Sequence, residues 1–96
     1  MIYPFDTARM IDICRQNDVS FVGLFGSFAR GENTENSDID LLVKFSSRKS
    51  LLALVRLERE LTLALGRKVD VLTDASISPY IRANILHDLK VIYEKS

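Results

Sequence analysis

Apolar residues recur along the chain with two different periods. Behind Asp6, the residues Met10, Ile13 and Cys14, with Ile11 beside them, lie three to four apart, the spacing of one buried helix face. This predicts a helix to about Asn17, with the Asp6 carboxylate accepting from the free N–H groups of its first turn. Phe21–Phe25 (FVGLF) is short, apolar and partly β-branched, and predicts a buried strand ended by Gly26-Ser27. A short helix over Ser27–Arg30 follows, stopped by Gly31, and Glu32–Ser37 (ENTENS) is a polar surface loop. Asp38–Lys44 (DIDLLVK) predicts a second strand. Helical register returns over about Ser50–Leu65, where Leu51, Leu54, Leu57, Leu61 and Leu65 form a stripe expected in the core and Gly66 ends the helix. Val69–Leu72 (VDVL) predicts a third strand. Ser78-Pro79 reads as an N-cap and first helical residue of a helix to about Asp88, and Val91–Tyr93 as a closing strand. The alternation predicts an α/β or α+β fold, a small sheet flanked by helices.

Composition narrows the classes. Ninety-six residues predict a single domain over residues 1–96, and 47% apolar with 27% charged residues is a globular balance rather than a disordered one. Thirteen basic and thirteen acidic side chains give no net charge, which removes bulk attraction to nucleic acid or to an anionic membrane. The charge is nonetheless segregated: residues 1–43 carry 3 basic and 7 acidic groups, residues 44–68 carry 7 and 2, and residues 69–96 carry 3 and 4. One cysteine, Cys14, excludes an internal disulfide framework and a thiolate zinc cluster. No apolar run approaches the ~20 residues of a membrane span, and MIYPFDTARM lacks the pattern of a secretion signal. The expectation is a cytoplasmic protein.

Three aspartates break the apolar strands. Asp38 and Asp40 are two residues apart, so on a strand both point to one face, with Cα atoms ~6.6 Å apart. At ~5 Å, two carboxylates repel by about 3 kcal/mol at an effective dielectric of ~20, so the pair calls for a positive charge between them. Asp70 repeats the anomaly between Val69 and Val71 and joins the pair if the second and third strands are neighbours. All-oxygen acidic sites suit Mg²⁺ or Mn²⁺. Gly26-Ser27 adds a close backbone approach and a hydroxyl at a helix start, the makings of a phosphate cradle. Only ten residues, Phe28 to Ser37, separate it from Asp38-Ile39-Asp40. Among the basic residues, Arg30 divides evenly between a phosphate ligand and an exposed helix arginine. Lys44, Arg67 and Lys68 either offset these carboxylates or, the favoured reading, are solvated strand-end charges; His87 is expected as a surface or capping residue and Cys14 as core.

Gly26-Ser27-x₁₀-Asp38-x-Asp40, within GSFARGENTENSDIDLLV, together with Asp70 in KVDVL, resembles the nucleotidyltransferase superfamily typified by DNA polymerase β. It is more similar still to the minimal nucleotidyltransferases of prokaryotes. The resemblance runs from the first helix to VIYE and implies a polymerase β-like core with a small mixed sheet. It implies that Asp38, Asp40 and Asp70 hold two Mg²⁺ ions, with Asp70 also helping to deprotonate the acceptor hydroxyl. Gly26 and Ser27 would bind the β- and γ-phosphates of ATP, and Arg30 would reach a phosphate. It further implies an antitoxin that transfers AMP from ATP to a tyrosine of a partner HEPN-domain toxin. The alternatives are a non-catalytic nucleotide-binding module that neutralises a HEPN partner by complex formation, and nucleotidyl transfer to a small molecule. A chain of this length is expected to hold the transfer core but not the acceptor. Oligomeric state stays open, with a small open sheet and a basic helix face favouring a homo- or hetero-oligomer. No nucleic acid or membrane contact is expected, and nothing in the residues sets the nucleotide preference.

Overall fold

A computed structural model of the chain describes residues 3–95. The elements, in chain order, are α1 (Thr7–Gln16), β1 (Val19–Phe25), α2 (Ser27–Arg30), β2 (Ile39–Phe45), α3 (Leu51–Leu65), β3 (Val69–Thr73), a 3₁₀ turn (Asp74–Ser76), α4 (Pro79–Asp88) and β4 (Lys90–Glu94). The caps expected at Asp6 and Ser78 are in place, and Ser50 adds one that was not foreseen. Asp6 accepts from the Arg9 N–H at 3.0 Å, Ser50 from Ala53 and Ser78 from Tyr80, and Gly31 and Gly66 end α2 and α3 in the left-handed conformation. β1 begins two residues earlier than the apolar run suggests, because Val19 is also buried and pairs with Phe45. The 3₁₀ turn was not expected. Thr73 and Ser76 close it reciprocally through their side chains.

The sheet has the order β3-β2-β1-β4, with β2 and β3 parallel and the other pairs antiparallel. It is therefore the small mixed sheet flanked by helices. Alternation along the strands divides it into two unequal faces. Val22 and Leu24, Ile39, Leu41 and Val43, and Val69 and Val71 pack against Met10, Ile13 and Cys14 of α1 and Leu57 and Leu61 of α3. The opposite face has a smaller cluster, Leu42 with Ile77 and Ile85, joined by Phe25, Leu72 and Leu89. Burial pushes the Cys14 thiol up to about 12, with Glu60 adding to the shift, so it behaves as a core residue.

The leucine stripe of α3 is only partly core. Leu57 and Leu61 are fully buried and Leu54 and Leu65 partly so, but Leu51 is 76% exposed. Within the first turn of α3 the contact with the core is made by Leu54, while Leu51 and Leu52 are exposed. The inner face of α3 instead supplies polar groups to the edge strand. Glu58 Oε2 accepts the Val71 N–H at 2.9 Å and Thr62 Oγ1 the Val69 N–H at 3.1 Å, satisfying donors for which β3 has no strand neighbour. Glu58→Ala is expected to lower unfolding stability by about 1–2 kcal/mol, read as an earlier urea midpoint at unchanged slope.

Candidate active site

β2 and β3 run parallel in the register Ile39↔Val69, Asp40↔Asp70, Leu41↔Val71. The aliphatic residues on either side of each acid are at most 4% exposed. Their burial fixes the register, and alternation then turns Asp40 and Asp70 together onto the opposite, thinly covered face. Asp38, just before β2, shares that face by the same two-residue period. The three acids singled out by the sequence are thus neighbours across two strands.

Gly26 lies against this cluster. Phe25 pairs with Asp40 across the β1–β2 ladder, so the chain turns into α2 directly beside that carboxylate. Gly26 has φ +76°, and a Cβ there would collide with the Asp40 carboxylate. Both the backbone angle and the lack of space demand glycine. Ser27 follows as the first residue of α2, whose N-cap has no side-chain acceptor. The separation of ten residues in sequence becomes direct contact in space.

Asp40 is the electrostatic focus. Burial, followed by repulsion from Asp70 and Asp38, pushes its carboxyl up to about 6, and Arg30 and Lys68 only partly oppose this. Lys68 lies between the other two acids, its Nζ 3.8 Å from Asp70 Oδ1 and 3.9 Å from Asp38 Oδ2. Lys68 is therefore not a free strand-end charge. It supplies a cation to the cluster, between Asp38 and Asp70 rather than between Asp38 and Asp40.

Arg30, the candidate phosphate ligand, is held by two carboxylates, with Nη1 2.8 Å from Asp88 at the end of α4 and Nε 2.9 Å from Glu32. The Asp88 side chain is only 17% exposed, so this pair fastens α4 to α2 beside the site. Arg67 also departs from expectation. Its Nη1 donates to the carbonyls of Glu35 at 3.0 Å and Ser37 at 3.1 Å, and its guanidinium lies over the Phe28 ring. It thereby pins the loop that leads into Asp38. Asp88 and Arg67 were not foreseen as site supports, because their partners are remote in sequence. Lys44 lies 4.0 Å from Asp74 at the other end of the strands, and His87 is exposed.

The donor chemistry fits a divalent cation: three carboxylates on one face, one of them desolvated and repelled by the others, with an ammonium already drawn in. As the side chains stand, no three Asp, Glu, His or Cys residues among the described residues close on a single metal position. Asp38 and Asp70 are instead turned towards Lys68.

A glycine-serine turn packed on an acid pair, with a third acid in register on the next strand, is a specific arrangement. The family model for polymerase beta nucleotidyltransferases matches residues 9–96. The chain belongs to that family. Its fold and its catalysis are accordingly those of a nucleotidyltransferase, an enzyme that works on a nucleotide. It is similar to a Methanocaldococcus jannaschii protein provisionally named a protein adenylyltransferase, with 49% identity over 80 residues, 83% of this chain and 86% of the relative. It is 36% identical to the protein adenylyltransferase MntA of Thermococcus cleftensis over 83 residues, 86% of this chain and 84% of that one. A solved structure described as a toxin–antitoxin with AMP-PNP superposes with a TM-score of 0.83 at 26% identity, covering 95% of this chain and 75% of that chain.

The raised Asp40 carboxyl has a thermodynamic consequence. Between pH 4 and 6 the folded nucleotidyltransferase keeps a proton that the unfolded chain releases, so this group's contribution to stability is full below about 4 and is lost as pH rises through about 6. In chelator-containing buffer at pH 7, Asp40→Asn is expected to be more stable than the parent by about 1 kcal/mol, less than the full shift implies because water screens a half-buried carboxylate. Below pH 4 the two proteins should coincide. Denaturant titrations across pH 3.5–7.5 measure this.

Proposed function

We propose that this nucleotidyltransferase is an antitoxin that transfers AMP from ATP to a tyrosine hydroxyl of a partner HEPN-domain toxin. The observation that carries the reading is the contact between Gly26 and Asp40, which joins a phosphate-binding turn to an acid cluster. The adenylyl group and the protein acceptor rest on the likeness to protein adenylyltransferases, one of them MntA, and on the likeness to a toxin–antitoxin with AMP-PNP. The HEPN class of the partner and its tyrosine rest on the sequence resemblance.

In this reading Asp38, Asp40 and Asp70 hold two Mg²⁺ ions, or Mn²⁺ in their place. Those ions supply charge neutralisation for the triphosphate and a lowered pKa for the attacking hydroxyl. The remaining work falls to the chain. Gly26 lets the backbone come close to the β- and γ-phosphates, and Ser27 offers its N–H and hydroxyl to them. Arg30, oriented by Asp88 and Glu32, adds positive charge on the phosphate side. Asp70 accepts the proton of the tyrosine hydroxyl as that oxygen attacks the α-phosphate in line, and pyrophosphate leaves. Protein and substrate meet on the sheet face that α4 covers only in part. No helix among the described residues is long and apolar enough to cross a membrane, and the reading assigns the protein to the cytoplasm with its toxin.

Incubation with α-labelled ATP, Mg²⁺ and the HEPN protein encoded by the neighbouring gene should place label on a tyrosine of that protein. Asp38→Asn with Asp40→Asn should reduce labelling at least about a hundredfold and restore toxin activity. A tight, unlabelled complex that still silences the toxin after those substitutions would overturn catalysis in favour of neutralisation by binding. Independently, millimolar ATP with Mg²⁺ should raise the melting temperature by several degrees and ATP with chelator by less, because a ligand that binds only the folded state stabilises it.

A further inference from the structure

Lys68 is anchored through its backbone beside the acid cluster. It is the last residue before β3, and its carbonyl accepts the Ile39 N–H at 2.9 Å, which ties its backbone to the first residue of β2. From there its ammonium reaches Asp38 and Asp70 at nearly equal distances, 3.9 and 3.8 Å. Arg67 cannot take over this task, since its guanidinium is committed to the 34–37 loop. Among the described residues Asp40 has no ion-pair partner, so Lys68 is the one ammonium or guanidinium in salt-bridge contact with the three-acid cluster.

The contact is suited to release rather than to permanence. Both distances exceed hydrogen-bond length, and the Lys68 side chain is 67% exposed against 42% and 39% for its two acids. A lysine ammonium is a point charge on a flexible stem, without the planar fork that locks arginine onto a carboxylate. Arg30 illustrates the contrast, with two partners at 2.8 and 2.9 Å. An exposed, long ion pair contributes little to stability, yet it neutralises one charge of the cluster and competes with any other cation.

We infer that Lys68 is a built-in counter-cation of the acid cluster, which a divalent metal must displace, and that it sets the metal concentration at which the site loads. This rests on the proposed metal role of Asp38, Asp40 and Asp70. Lys68 touches the acids and not the reacting atoms, so it is a positioning residue. Without it, the three carboxylates would present a larger negative charge to Mg²⁺ at all times. With it, loading requires the ammonium to leave, and the carboxylates of Asp38 and Asp70 are freed to turn inward together.

The test compares the full chain with Lys68→Met and Lys68→Arg, titrated with Mn²⁺ alone and read by the electron paramagnetic resonance of free Mn²⁺. Lys68→Met should bind Mn²⁺ about three- to tenfold more tightly at low ionic strength, an advantage that shrinks as salt is raised. Lys68→Arg should bind Mn²⁺ no more tightly than the parent, because the charge is kept and the guanidinium fork holds the carboxylates harder. In metal-free buffer Lys68→Met should melt earlier than the parent and gain more on Mn²⁺ addition, a crossover that mere loss of a surface contact would not give. Asp38→Asn with Asp40→Asn serves as the reference in each background. If that variant binds Mn²⁺ as the parent does, the metal reading itself is wrong. If it loses binding while Lys68→Met binds no more tightly than the parent, the metal reading stands and the role of Lys68 is overturned.

Discussion

Asp40 and Asp70 face each other across a parallel strand pair, and their mutual repulsion is the constraint around which the neighbouring structure is arranged. Like charges in register oppose the pairing that brings them together. What holds them is the other face of the same strands, where Ile39, Leu41, Val69 and Val71 are sealed against α1 and α3. A slip of either strand by one residue would expose its aliphatic side chains and drive its acid into the core, at a far greater cost than the repulsion. The sheet thus spends some of its packing energy on keeping two charges close, a common relation between stability and active sites.

The surrounding polar contacts all act on the position of these acids. Glu58 and Thr62 tether the edge strand that carries Asp70. Arg67 holds the loop before Asp38, and Lys68 offsets part of the charge. Gly26 leaves the space that Asp40 occupies. The supports come from three separate segments, so the site is a property of the folded sheet rather than of any local motif.

Local chemistry was legible in the residues. Caps at Asp6 and Ser78, stops at Gly31 and Gly66, and all four strands follow from side-chain types and spacing within a few positions of one another. The acid cluster was legible because an aspartate between two aliphatic residues of a strand conflicts with burial. Contacts between distant segments were not. Nothing near Arg30 signals that Asp88, fifty-eight positions on, will hold it. Nothing near Lys68 shows that it reaches two acids rather than water. Leu51 looked like core for the reverse reason, since helical register says which residues share a face but not how much of that face is covered.

The strand order has a consequence for how the molecule comes into being. β1, which delivers Gly26, lies between β2 and β4, and β4 is the last element described. β1 therefore waits, with one edge unpaired, until β4 has been synthesised. Arg30 waits as long for Asp88. A chain still being translated can form the β1–β2 hairpin and bring Gly26 to Asp40, but it has neither a closed sheet nor an oriented arginine. Assembly is governed by contacts between elements remote in sequence, the class of contact that closes slowest. A closed β1 edge and an oriented Arg30 thereby arrive together, with α4 and β4.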